Sequence, residues 1–235
     1  MFSSFDMTNL RGKPMAETKN KGKIVVLFDK TTGEAPVWQL NTDKGTFHSK
    51  FGVGDFDKEK SKRNLDITIG DPCLVSFLGE LDEWVLTTAI ANSEEWFKKK
   101  MERQGVEDLF AKTVRERDGE QLLRIKVGAA TDVSPTEIGV IKDLERMEYY
   151  EGGIDDLTRG VDVVVTVRPQ YLWFMQSGKA VNFGVTLVAT SILAIPPKRK
   201  GRGISSLVLS KAVVKAARPE EDVVAEAEAE EDVDY

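Results

Sequence analysis

Seven consecutive residues, 168–174, combine the two side-chain types that hold a single nucleic-acid strand. A basic groove follows the phosphates, and aromatic rings stack on the bases at ~1–3 kcal/mol each. If this segment is a β-strand, Tyr171 and Trp173 point to the same face. We expect these two rings to face outward as base platforms, with Arg168 and Lys179 at the phosphates. The competing interpretation is that the aromatic side chains belong to the core.

A second basic face is predicted by the alternation in residues 122–127. Arg124 and Lys126 share one side of this strand, and the apolar residues between them share the other. We expect the basic side to be exposed to a nucleic acid. Trp38 is a weaker candidate, as are the three phenylalanines that lie among lysines at positions 47, 51 and 56. These rings either clamp a strand or pack beneath it.

The sequence offers little for catalysis. Cys73 and His48 are the only residues of their types, so no conventional zinc site, histidine-based triad or intramolecular disulfide is predicted. Cys73 lies in an apolar run, 73–78, and is expected to be a small core residue. No phosphate-binding P-loop is present. We therefore expect a protein that is not an enzyme and has no cofactor and no metal. A magnesium-dependent nuclease stays open as an alternative, with four aspartates as ligands: Asp66, Asp71, Asp155 and Asp156.

Charge is divided unevenly along the chain. Residues 219–235 carry nine acidic residues and no basic one, whereas residues 1–218 carry 33 basic against 30 acidic residues. Such a division is typical of a protein with a polyanionic partner. The acidic segment ends in Tyr235, and we expect it to compete with nucleic acid for the basic face and to recruit partner proteins. Its candidate contact residues are Glu230, Glu231, Asp232, Asp234 and Tyr235. The simpler alternative is that it only aids solubility.

The elements that position these residues form four predicted regions. Residues 1–22 are a flexible leader, 23–195 a β-rich core with a helical insertion around 82–114, 196–218 a basic linker and 219–235 a disordered acidic tail. Within the core, the best strands are 24–28, 65–69, 122–127, 161–167, 171–175 and 180–195, and 37–40 is expected to return from 24–28 as a hairpin. The helix is expected over 82–103, with a second helical piece over 106–114. Gly184 is the expected site of a bulge or bend. The predicted fold class is α+β, mainly β: a small OB-like barrel with an inserted helix.

The strand Gly160–Val167, the aromatic segment Tyr171–Trp173, the strand Val181–Ile195 and the acidic end Glu230–Tyr235 together resemble a known family. It is the replication single-stranded-DNA-binding protein of short-tailed phages of the T-seven type, with its counterparts in large DNA viruses of eukaryotes. The resemblance implies an OB-fold with a helix inserted between strands. It also implies an acidic tail that contacts the replicative polymerase and helicase–primase, promotes dimers and competes with DNA.

The function hypothesis is sequence-independent binding of single-stranded DNA in viral replication, recombination and repair, by a protein with no membrane partner. The first alternative is an acidic-tailed protein-interaction module or chaperone that does not bind DNA. Duplex DNA or RNA binding is another, although bases in a duplex are already stacked. One cysteine and the lack of any apolar run of membrane-spanning length predict an intracellular, soluble protein. The resemblance implies a viral protein at replication sites in the cytoplasm or nucleus of the host cell.

Overall fold

The computed structural model describes residues 5–18, 22–40, 45–55, 63–128, 135–143, 148–177 and 180–197. Residues 198–235 lie entirely outside this range. Four expectations therefore fall outside the described residues. They are the basic linker beyond Pro197, the acidic tail with its five candidate residues, Lys179, and Phe56.

The described residues contain fourteen strands, three α-helices and two 3₁₀ turns, Met7–Asn9 and Ile154–Asp156. The helices are α1 (Pro72–Ala91), α2 (Ser93–Phe97) and α3 (Arg103–Glu107). The strands are β1 (Leu10–Gly12), β2 (Ala16–Glu17), β3 (Lys23–Asp29), β4 (Trp38–Leu40), β5 (Phe47–Ser49), β6 (Val53–Asp55), β7 (Arg63–Ile69), β8 (Phe110–Ala111), β9 (Val114–Arg117), β10 (Glu120–Val127), β11 (Glu137–Asp143), β12 (Glu148–Glu151), β13 (Val161–Ser177) and β14 (Ala180–Ile195).

Five strands close into a barrel, in the order β13–β14–β10–β7–β5 and back to β13. The remaining strands extend this sheet. β11 and β12 continue it beyond β14, while β3 and β1 continue it beyond the far half of β13. One helical insertion, α1–α3, lies between β7 and β8. The predicted fold class, a mainly β α+β protein with an OB-like barrel and an inserted helix, is confirmed.

The long hairpin of β13 and β14 organises the molecule, and two register shifts interrupt it. Its pairing runs from Asp162↔Ile195 to Ser177↔Ala180, and it leaves out Thr190 on one strand and Gln170 on the other. Along β13, odd-numbered residues are buried up to Pro169, whereas further along the buried residues are Leu172 and Phe174. A bulge adds one residue to one strand and so reverses the facing of the residues after it. The structure thus joins two predicted strands, 161–167 and 171–175, into one.

β10 pairs with β7 along almost its whole length and with β9 through a tight hairpin. Asp118 and Gly119 form the two-residue turn of that hairpin, with φ angles of 54° and 76°. Two positive φ angles are the requirement of a type I′ turn, which explains the Asp-Gly pair. The predicted turn at this point and the alternation of basic and apolar residues in β10 are both confirmed.

The helical insertion begins ten residues earlier than expected. Asp71 caps α1, its carboxylate accepting a hydrogen bond from the backbone N–H of Cys73, and Pro72 occupies the first turn. Asp followed by Pro is a helix-start signal, which explains the early beginning. The expected core face, including Leu81, Val85 and Ala89, is buried as predicted. Val114, placed in a helix by the sequence pattern, instead begins β9.

Four further expectations are wrong. The leader is not loose throughout, since β1 pairs with β3 and Leu10 is buried. Cys73 is exposed rather than part of the core, because it lies in the first turn of α1. β4 pairs with β13 and not with β3, so the expected hairpin is absent from the described pairings.

The fourth expectation was a bulge or bend at Gly184, and the bulge is wrong, since Gly184 pairs in register with Trp173. Its lack of a side chain has another cause: a Cβ there would come within 2.9 Å of the Trp173 ring and 3.1 Å of the carbonyl oxygen of Ala111.

Among the described helices, none has the length and apolar character needed to cross a membrane.

Candidate nucleic-acid interface

Strand register brings five predicted residues to one outer face of the barrel. Arg168 on β13 and Lys126 on β10 are both cross-strand neighbours of Val188, which lies between them on β14. Directly paired residues face the same side of a sheet, and the spacing of strands separates the Arg168 and Lys126 backbones by about 10 Å. The two basic side chains therefore flank β14 from opposite sides.

Tyr171 and Trp173 lie on the same outer face. Both are half-buried, whereas Leu172 and Phe174 between and after them are in the core. The two rings therefore face outward, and their use as base platforms stays a prediction. Without the bulge at Gln170, strict alternation would place Arg168 on the face opposite Trp173.

A depression opens beside Trp173, between the diverging strands β14 and β10. It has a volume of about 180 Å³. Four basic side chains line it, and no acidic residue does among the described ones. These basic residues are Lys112, Arg115, Arg124 and Lys126, and Asn64, Thr113 and Thr186 add polar groups. We call this site the basic depression.

Two of its basic residues were missed by the sequence reasoning. Lys112 lies in the segment 106–114 that the sequence pattern places in a helix, and Arg115 directly follows that segment, so their shared facing was not foreseen. The signal was present: Arg115 and Arg117 alternate with Val114 and Glu116 immediately before the Asp-Gly turn. That alternation indicates the first strand of a hairpin whose second strand is β10.

Arg124 is less available for a ligand than expected. Its Nε and one terminal nitrogen donate hydrogen bonds to the two carboxylate oxygens of Asp66, each at 2.7 Å. The pair is largely buried, and these hydrogen bonds raise the pKa of Arg124 against the opposing effect of burial. Much of the Arg124 charge is therefore neutralised within the protein.

Arg115 has the opposite environment. Burial lowers the pKa of its guanidinium, and the adjacent charge of Arg124 lowers it further, with Asp66 only partly opposing. In the described part of the chain, no carboxylate forms an ion pair with Arg115. The Arg115 side chain is exposed to solvent, and a cation with a cationic neighbour is stabilised by any anion that reaches it.

The basic surface continues past Arg115. A second depression shares Arg115 and Arg124 with the first and adds Arg117, and it is also lined by the acidic residues Asp66 and Glu116. The guanidinium of Arg117 lies 5.6 Å from the ring centroid of Phe51, and the amino group of Lys50 lies 5.8 Å from it. Phe51 is 47% exposed. An exposed ring between two cations is suited to stacking on a base.

On the other side of β13, Arg168 lines a third depression with Lys13 and Phe28. The Lys13 amino group lies 6.0 Å from the Phe28 ring centroid. The Nε atom of Arg168 is buried, and it has no hydrogen-bond partner among the described residues. Tyr171 connects the depressions, since its cross-strand neighbours are Val26 in the third and Thr186 in the first.

The prediction that Trp38 is a candidate stacking platform is wrong. Trp38 is 3% exposed and packs against Phe5 and Phe77, at ring-centroid distances of 5.7 and 4.9 Å. Phe47 is also buried. Among the four aspartates of the nuclease alternative, Asp66 is bound to Arg124 and Asp71 caps α1. In the described ranges, no group of three or more potential ligand side chains is placed to hold a metal ion.

Comparison with known proteins gives fold-level likeness only. No family model matches the sequence, and no curated protein is significantly similar to it. Among solved structures, a C-terminally truncated single-stranded DNA-binding protein from bacteriophage Enc34 is 10% identical, with a TM-score of 0.41 over 80% of this chain and 97% of that one. The gp2.5 single-stranded DNA-binding protein of bacteriophage T7 is 15% identical, with a TM-score of 0.40 over 87% of this chain and 100% of that one.

Proposed function

We propose that this chain binds single-stranded DNA, independently of sequence, on the outer face of β10, β14 and β13. One observation carries the proposal: the basic depression has four basic side chains, no acidic one among the described lining residues, and Trp173 at its side. Cations that track phosphates and rings that stack on bases are the two components of single-strand recognition. Stacking tolerates every base, so such a surface does not discriminate between sequences.

Within this face, Arg115 is the main phosphate ligand. Its side chain is exposed to solvent and no described carboxylate pairs with it, whereas the charge of Arg124 is already paired with Asp66. A phosphate at Arg115 supplies the missing counter-charge without breaking an existing ion pair. Lys112 and Lys126 lie in the same depression and add charge to the same strand of DNA.

The DNA path extends from Trp173 across Arg115 to Phe51. The two depressions share Arg115 and Arg124, so a backbone that occupies one is directed toward the other. Phe51 then offers a second ring for stacking, with Arg117 and Lys50 beside it. Duplex DNA has no unstacked bases to place on either ring, which favours the single strand.

We extend the proposal to biological role on the strength of the sequence resemblance. The role is viral DNA replication, recombination and repair. The acidic segment 219–235 limits access of DNA to the basic face, recruits the replicative polymerase and helicase–primase, and supports a homodimer. Attraction between exposed charges weakens with salt, over about 10 Å at 0.1 M ionic strength. The regulatory effect is therefore largest at low salt.

The test is oligo-dT binding by fluorescence anisotropy across a salt series. Full-length protein is compared with Arg115→Ala and with a variant in which the nine acids of 219–235 are changed to Gln or Asn. We expect the neutral tail to tighten binding several-fold at low salt. For single strands, log K falls with log salt by about 0.7 per phosphate contact, and Arg115→Ala removes about one such contact from the slope.

Lys99→Ala is the matched control, because this exposed lysine lies in the helical insertion and lines none of the depressions. Oligo-rU and duplex competitors compare RNA and double strands with oligo-dT. If oligo-dT does not bind at low salt, the proposed function is wrong, and the acidic-tailed protein-interaction module becomes the better account. Equal losses for Arg115→Ala and Lys99→Ala contradict the assignment of the interface.

A further inference from the structure

A hollow separate from the three depressions described above lies where the sheet extends beyond the barrel. Strands β13, β14, β11 and β12 form it side by side, and its volume is about 670 Å³. Volumes of about 300–1,000 Å³ are typical of sites that bind ligands. Val164, Leu193, Gly139 and Glu151 follow one another across the four strands as direct neighbours, so they form one row on the hollow's floor.

Gly139 and Tyr149 give the hollow its shape. A Cβ at Gly139 would come within 3.1 Å of Leu193 Cδ1 and 3.3 Å of Tyr149 Cδ2, so the tyrosine ring lies close over the glycine. Tyr149 is nonetheless 70% exposed. The hollow therefore has an apolar floor of Val164 and Leu193 and an exposed aromatic wall.

Its charge is opposite to that of the basic depression. Glu137 and Glu151 line it, and among the described residues no basic side chain does. Both glutamates are exposed, and strand geometry places their backbones about 8 Å apart. Phosphate is repelled by this pair, so the hollow is not a continuation of the DNA path. A lysine or arginine side chain, with its aliphatic stem and cationic end, complements the apolar floor and the two glutamates of the hollow.

The edge of the sheet next to the hollow is open for pairing. β12 pairs with β11 on one side, and it is the last strand of the sheet in the described part of the chain. Two copies of Glu148–Glu151 paired about a two-fold axis would set Glu148 opposite Glu151 of the other copy. Like charges directly opposite each other destabilise a strand pair. A strand with basic residues avoids this repulsion.

We propose that the hollow and the β12 edge bind an extended, basic segment of a partner protein. The segment adds a strand to β12 and inserts one arginine or lysine side chain into the hollow. The aliphatic stem packs on Val164 and Leu193, and the cation faces the Tyr149 ring between Glu137 and Glu151. Backbone pairing with an edge supplies affinity, and side-chain pockets supply specificity. Cation–π contact and charge then select a basic side chain.

The probe is a fluorescein-labelled, end-blocked peptide, Gly-Val-Thr-Arg-Thr-Val-Gly, with a matched peptide that carries Gln in place of Arg. Full-length protein is expected to bind the Arg peptide with a dissociation constant below about 1 mM and to prefer it to the Gln peptide by about tenfold. Tyr149→Ala is expected to weaken Arg-peptide binding by about tenfold, and the double variant Glu137→Gln with Glu151→Gln by at least about as much.

Tyr150→Ala is the control, because Tyr150 is the adjacent exposed tyrosine and does not line the hollow. It is expected to leave peptide binding unchanged, and Tyr149→Ala is expected to leave oligo-dT binding unchanged. The proposal is overturned by equal binding of the two peptides, by equal losses for Tyr149→Ala and Tyr150→Ala, or by no binding at millimolar peptide. Sedimentation of a dimer that Tyr149→Ala dissociates would also overturn it, by assigning the surface to a second copy.

Discussion

The Trp173 indole lies across Gly184, its cross-strand partner on β14, in a contact that leaves no room for a Cβ. The ring position therefore depends on a glycine in the neighbouring strand. The same glycine also lies close to the carbonyl oxygen of Ala111, next to Lys112. The Trp173 ring and the backbone at Ala111 therefore meet at Gly184.

Gly184→Ala is expected to displace the Trp173 ring and weaken oligo-dT binding, because the added methyl would lie 2.9 Å from the ring. The expected loss is of the order of one stacking contact, ~1–3 kcal/mol. Gly79→Ala is the matched control, since Gly79 is exposed on α1 and an added Cβ there would meet no atom within 4 Å. Anisotropy titrations of both variants check this; equal affinity for Gly184→Ala and wild type would show that the ring position is unimportant.

Replacement of two tryptophans by alanine is expected to affect two different properties, DNA affinity for Trp173 and the free energy of unfolding for Trp38. Trp173→Ala removes a half-exposed ring, so DNA affinity falls by ~1–3 kcal/mol with a small effect on stability. Trp38→Ala removes a buried ring and is expected to cost ~3–5 kcal/mol of the free energy of unfolding. Urea unfolding and oligo-dT titration of both variants separate the two effects. Loss of DNA binding in a folded Trp38→Ala protein would contradict the assignment of Trp38 to the core.

Asp66→Asn is expected to tighten DNA binding while it weakens the fold. The substitution leaves the Arg124 charge without the Asp66 carboxylate beside Arg115, so the basic depression attracts phosphate more strongly. The lost charge pairing is expected to lower the free energy of unfolding by about 1 kcal/mol. Glu120→Gln removes a charge from an exposed position on the same hairpin and serves as the control. Weaker DNA binding by Asp66→Asn would show that the ion pair positions Arg124 for DNA.

Asp82 gives the protein a pH-dependent stability. Burial raises the pKa of its carboxyl group above the usual value of 3.8, although hydrogen bonds from Thr113 oppose the shift. Between the unfolded and folded pKa values, the native chain holds a proton that the unfolded chain has lost. This contribution therefore makes the free energy of unfolding fall as pH rises through that range. Asp82→Asn is expected to remove this slope in a urea-unfolding series from acid to neutral pH.

Glu83 provides a control of opposite sign. The hydrogen bond from Arg103 lowers the pKa of Glu83, so its stabilising contribution is present above the unfolded pKa and is lost as pH falls. Glu83→Gln is expected to reduce the loss of stability at acid pH. An Asp82→Asn protein that keeps the wild-type slope would show that Asp82 is not the group responsible.

Local pattern was sufficient for the parts of the fold that depend on neighbouring residues. The alternation in β10, the Asp118-Gly119 turn and the shared face of Tyr171 and Trp173 follow from the period of a strand and from turn chemistry. Asp71 and Pro72 also indicate the early start of α1, since Asp71 caps the helix and Pro72 lies in its first turn, but they were interpreted as a turn before the helix.

The sequence by itself determined that the chain is β-rich, that basic and aromatic residues alternate with apolar ones, and where the tight hairpin turns. Only the tertiary structure decided which of those residues share a surface. The bulge at Gln170 places Arg168 on the same face as Trp173. The pairing of β7 with β10 brings Asp66 next to Arg124, and the two form an ion pair, whereas no described carboxylate pairs with Arg115. Register and ion pairing join residues far apart in the chain, so a period that repeats every two residues carries no information about them.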